Sequence, residues 1–142
     1  MKTKSVEKHT ERGQSMIELA LVITILMILL AGTIDLGRAM FVWLAMRDAA
    51  QEGAAYGSIN PTDDGGINQR VLDNLDQVVP DISVITIQTS NDGDLCLGHD
   101  IQVDVYYNEF PLTMPFLGWV LNSQTIVLHA TINDTILRPT CE

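Results

Sequence analysis

Lysine is missing from this 142-residue sequence after position 8, and from Gln14 onward only four arginines stand against sixteen acids. Such an exterior excludes nucleic acid as a partner, because phosphate binding needs clustered cations. The sequence also lacks a Gly-rich phosphate loop, a nucleophile-elbow pattern and a convincing pair of carboxylates, so no catalytic residue is predicted and the chain reads as a non-enzyme. His9, His99 and His129 have no ligand spacing and read as surface or satisfied side chains. Asp92, Asp94 and Asp100 form an acidic loop without the register of a calcium-binding loop, which predicts a solvated turn. Cysteine is scarce: Cys96 and Cys141 stand 45 positions apart with no CxxC spacing, which argues against zinc. No metal or other cofactor is expected.

Between Leu19 and Ile34 there is neither charge nor proline over sixteen residues. With Met16 and Ile17 the apolar span reaches about 19 residues, enough as a helix to cross most of a ~30 Å hydrocarbon layer. A soluble core helix is rarely apolar on all faces over five turns, so a transmembrane helix at about 16–34 is expected. The formal net charge is −10, split as +2 over residues 1–13 and −12 over the rest. By the positive-inside tendency the N-terminus stays in the cytoplasm and the C-terminal part is translocated. A secretory signal peptide is the competing reading. Its apolar region is shorter, however, and Ala31-Gly32-Thr33 makes a poor cut site.

Glu18 lies just inside the apolar run, and Gly13 stands five residues before it. One reading has Glu18 marking the water boundary. Another has the chain cut after Gly13, giving Gln14 a new α-amino group one helical turn from the Glu18 carboxylate on the same face. Pairing with that amine, or with the amine of a neighbouring subunit, would offset the cost of an acid at the lipid edge. Gly13, the basic residues before it, Glu18 and the long apolar helix resemble a type IV prepilin leader. The run from Gly13 to Ala20, with Asp35-Leu36-Gly37-Arg38-Ala39 beyond it, is similar to the TadE-like proteins, minor pilins or pseudopilins of tight-adherence pilus systems. Gln14 departs from the pattern, since many type IV pilins carry Phe there. The resemblance covers residues 12–57 and, through Phe110-Pro111-Leu112-Thr113 and its flanking strands, 100–134.

The resemblance implies a pilus subunit cut between Gly13 and Gln14 by a prepilin peptidase. Its partners would be other pilin subunits, a pilus assembly platform and, before assembly, the membrane. It would reside in the inner membrane with its head outside, then in an extracellular filament, with Glu18 guiding docking. The rival reading is an unprocessed single-pass protein whose exterior domain binds or braces an envelope partner.

Residues 35–57 contain no proline and many helix formers, so one helix is expected from about Gln14 to Tyr56. Asp35 and Arg38 can pair at i, i+3 near the outer headgroups, where Phe41 and Trp43 suit the interface. Ala45, Ala49, Gly53 and Gly57 form a small-residue ridge for close packing, on the chain's own domain or on a neighbouring helix. Ser58–Gly66 reads as a turn, 67–79 as an amphipathic helix ended by Pro80, and Ile82–Thr89 as a strand followed by a turn at Asn91–Asp94. Strands follow around Ile101–Tyr107 and Ile126–Ile132, separated by the strongly apolar 111–121. The expected organisation is a leader at 1–13, a long helix at 14–57 and an exterior α+β head at 58–142. The head's antiparallel sheet packs on the helix's outer half. A Cys96–Cys141 disulfide is expected in the oxidising exterior, worth about 4 kcal/mol in the chain-entropy model; two separate thiols are the alternative.

Overall fold

The computed structural model describes residues 11–114 and 122–138. His9 with most of the leader, the apolar segment 115–121 and Cys141 lie outside the described residues. The first element, α1, is a single 47-residue helix, Glu11–Gly57. It includes Gly13, where a single glycine costs only about 1 kcal/mol.

Two environments divide α1. From Gly13 to Leu30 every side chain is exposed, with Leu29 61% accessible. This stretch is long and apolar enough to cross a membrane. Two threonine hydroxyls of the apolar run are already satisfied: Thr24 Oγ1 donates to the Ala20 carbonyl and Thr33 Oγ1 to that of Leu29, both at 2.8 Å. That is what a polar group facing hydrocarbon requires. The outer half instead supplies Met46, Ala49, Ala50 and Ala54 to a core from which water is excluded.

The head closes that core with a second helix, α2 (Asp64–Leu75), and three strands, β1 (Ile85–Asn91), β2 (Asp100–Pro111) and β3 (Thr125–Thr135). The strands form an antiparallel sheet in the order β1-β2-β3. This α+β arrangement, a long apolar helix followed by a small antiparallel sheet, matches the expected fold class. Ile67, Val71 and Leu75 of α2 and Ile101, Val103, Val105 and Tyr107 of β2 are buried, as their periods of about four and two dictate.

Among the boundaries that differ from the expected ones, three are set by local hydrogen bonds. Asp63 caps α2 by accepting from Gly66 N at 3.0 Å, so the helix starts inside the expected turn. It then ends at Leu75, a turn before Pro80, where Val78 N and Val79 N both donate to the Leu75 carbonyl. Asp81 likewise accepts from Ser83 N at 2.9 Å and folds Ile82–Val84 into a 3₁₀ turn, which delays β1 to Ile85.

The small-residue ridge packs on its own chain. A Cβ on Gly53 would stand 2.6 Å from Val71 Cγ2, and one on Gly57 2.7 Å from Ile101 Cδ1. Trp43 also turns to the head rather than to the membrane interface. It is half-buried, and its Nε1 donates to the His129 carbonyl at 2.9 Å. Phe41 stays exposed.

The register between β2 and β3 slips between Tyr107 and Phe110. This bulge resets the alternation, so Phe110 also points inward and meets Tyr107 edge-on at 5.7 Å. Beyond it the strand runs into Pro111 and turns toward α1.

Gly53→Ala is expected to lower the unfolding free energy by about 1–2 kcal/mol, because overpacking against Val71 outweighs the gain in helix propensity. Gly37→Ala, whose Cβ would have nothing within 4 Å, should instead raise it by up to about 1 kcal/mol. Urea unfolding of both variants in detergent micelles measures the pair.

Candidate functional site

Asp35 is the first acid after the apolar run, and only 3% of its surface reaches solvent. A carboxylate in that position needs hydrogen-bond donors. They arrive from the chain beyond β2, 78 residues away. Thr113 N donates to Oδ1 at 3.0 Å and to Oδ2 at 2.9 Å, and Met114 N donates to Oδ2 at 2.8 Å. Arg38, one turn further along α1, has Nη1 3.6 Å from Asp35 Oδ1 and donates to Thr113 Oγ1 at 2.5 Å. Its guanidinium carbon lies 5.5 Å from the centre of the Phe110 ring, a cation–π contact.

Two side chains of α1 thus grip the end of β2 and the start of the β2–β3 connection. The grip depends on the bulge, which turns Phe110 under Arg38 and leaves Leu112, Thr113 and Met114 running along the helix. Leu112 N donates to the Gln124 carbonyl at 2.9 Å, which holds the two limbs of the connection together. Gly37 takes no part. It faces away from the head into open space, so the Asp-x-Gly-Arg element splits between two faces of the helix.

Sequence reasoning paired Asp35 with Arg38 and missed its closer partners on Thr113 and Met114. The available signal was the burial demand itself: an acid at the end of an apolar run must find N–H groups.

Glu18 lies seventeen positions before Asp35, about 25 Å along the axis, so these two acids form no common site. Glu18 is exposed on α1 and so is Gln14, four positions earlier. The peptide bond between Gly13 and Gln14 sits within the helix. Cys96 lies in the β1–β2 loop. Gly98 N donates to the Ile136 carbonyl at 3.0 Å and Ile136 N to the His99 carbonyl at 2.8 Å, which brings that loop beside the chain leaving β3.

A second polar cluster, not foreseen from the sequence, occupies the outer face of the sheet. Asp104 is 7% exposed and accepts from Gln102 Nε2 at 2.6 Å and Thr131 Oγ1 at 2.5 Å; it also lies 2.9 Å from His129 Nε2. Tyr106 stacks on the His129 ring at 4.3 Å. The same Nε2 faces both Asp104 and Thr131 Oγ1, the latter also at 2.9 Å. A proton relay needs the acid and the nucleophile on opposite ring nitrogens, so this is a hydrogen-bonded patch rather than a catalytic triad. In the acidic loop Asp92 Oδ1 accepts from Asp100 N at 2.8 Å and lies 3.4 Å from His99 Nδ1. Among the described residues no group of three or more His, Cys, Asp or Glu side chains could hold a metal ion.

Replacing Asp35 with Asn keeps the shape but presents an NH₂ group where an oxygen accepts. We expect a lower melting temperature and faster limited proteolysis at the β2–β3 connection, with the cut sites read by mass spectrometry. Burial pushes the Asp104 carboxyl up, but the hydrogen bonds from Thr131, Gln102 and His129 outweigh burial and hold it below its ordinary value. Its stabilising contribution is therefore present above the usual carboxylate range near 3.8 and is lost as pH falls through the lowered value. Melting temperatures between pH 2 and 5 (roughly the carboxylate range) should fall less steeply for Asp104→Asn than for the parent chain.

No curated protein and no solved structure matches the chain. Residues 13–55, the helix that carries Gly13, Gln14, Glu18 and both side chains of the clamp, match the family model described as TadE-like protein.

Proposed function

We propose that this chain is a minor pilin or pseudopilin of a tight-adherence pilus, acting as a structural subunit and not as an enzyme. A prepilin peptidase cuts between Gly13 and Gln14. The product stays in the cytoplasmic membrane through residues 16–34 with its head outside, until an assembly platform moves it into a filament with other pilin subunits. The observation that carries this reading is the TadE-like match over a helix whose inner half is fully exposed, apolar and interrupted by one acid.

Within that reading each part has a task. Glu18 meets a positive N-terminus, its own or that of an adjoining subunit, and sets the axial register of docking. Leu19–Ile34 exchanges lipid for neighbouring helices without changing shape. The Asp35–Arg38 clamp makes the head follow the helix as one body. Gly13 eases the local unwinding that cleavage of a helical bond demands. Cys96 pairs with Cys141, for which the placement of the Cys96 loop beside Ile136, five positions before Cys141, gives support.

One observation favours the rival reading of an unprocessed, single-pass anchored protein. The helix runs without a break through the Gly13–Gln14 bond. Intact-mass measurement of membrane-extracted protein separates the two, because processing gives a chain beginning at Gln14 and the rival one retains Met1. For a processed chain, Glu18→Ala should leave the mass of the product otherwise unchanged and reduce its recovery in sheared filaments at least tenfold. Normal incorporation of that variant would remove Glu18 from docking.

A further inference from the structure

The head reaches further down α1 than Asp35. A Cβ on Gly32 would lie 3.6 Å from Met114 Cε and 4.0 Å from Met114 Sδ. Gly32 is three residues nearer the N-terminus than Asp35, about 4.5 Å along the axis, and it falls inside the uncharged run. The end of the Met114 side chain therefore reaches the last turn of the apolar span, while the backbone of Thr113 and Met114 stands level with the Asp35 carboxylate.

Non-helical backbone at the edge of the apolar span needs acceptors from within the protein. It has them: Leu112 N donates to Gln124, while Thr113 N and Met114 N donate to the buried carboxylate of Asp35. The surrounding helix surface is apolar and open, with Ile34 52%, Leu36 70% and Phe41 63% accessible. One turn above stands Arg38, its side chain 47% exposed, at the height where a cation meets lipid phosphate while its stem covers apolar surface.

We propose that Leu112–Met114 is a lipid-contacting foot of the head, seated at the boundary between acyl chains and headgroups of the outer leaflet, with Arg38 facing the phosphates. The proposal rests on reading α1 as a membrane span. A zwitterionic phospholipid is the occupant that fits. A second copy of this chain would bring another strongly acidic exterior to the same place, where like charge opposes approach.

The test uses the full chain reconstituted in phosphatidylcholine nanodiscs that contain a phospholipid with a photoactivatable diazirine near the glycerol end of one acyl chain. After irradiation, adducts are mapped by peptide mass spectrometry. Lipid adducts are expected both on α1 between Leu19 and Ile34 and on residues 112–114. Met114→Gln, with its melting temperature checked against the parent, should lower the adducts at 112–114 at least fivefold while α1 remains labelled. Adducts on α1 with none at 112–114 would overturn the foot and leave the span intact. Absence of adducts from α1 itself would overturn the span and the foot together.

Discussion

A carboxylate placed where a hydrophobic helix ends must be given hydrogen bonds by something, and here the donors come from 78 residues away in sequence. Asp35 takes both of its N–H partners from the start of the β2–β3 connection. Thr113 and Met114 therefore have a fixed position relative to α1, and so has the end of β2 that delivers them. Arg38 adds its guanidinium to Thr113 and covers Phe110, which ties the sheet's inner face to the same two turns of helix. Removing this demand would leave the lower end of the sheet with little to hold it against the rod, because the fully buried apolar positions of α1 begin at Met46, about three turns further on.

The upper end of the head is held by shape rather than by charge. Gly53 and Gly57 let α2 and β2 approach the helix backbone to a distance that a single methyl group would close. Between the two attachments, Trp43 donates to the backbone of β3. Charge below, close packing above and an indole in the middle fix the sheet along about twenty residues of α1, so that a small core of fifteen buried apolar side chains among the described residues suffices.

Much of this was legible in the sequence because it depends on periodicity. The apolar run, the alternation of Ile101 through Tyr107 and of Ile126 through Ile132, and the small-residue ridge are all patterns of spacing, and the sheet packs where they predict. The element boundaries were less legible because side-chain caps decide them. Asp63 and Asp81 each recruit a nearby N–H and move the start of an element by about three residues. Two features were not legible at all. The link from Asp35 to Thr113, and the gathering of Gln102, Asp104, His129 and Thr131 on one sheet face, depend on strand register, and a bulge between Tyr107 and Phe110 sets part of that register. The TadE-like resemblance in the sequence covers residues 12–57 and 100–134, whereas the family match lies on the helix, where spacing carries the information, and not on the strands.

The uninterrupted run of α1 has a mechanical consequence. A rod of 47 residues is about 70 Å long, and the head is attached to it at both ends of its outer half. Tilting such a rod by about 5° at its N-terminal end carries the far end sideways by about 6 Å. Small angular adjustments at one end of the helix therefore emerge as displacements of atomic-contact scale at the other, as along the arm of a lever.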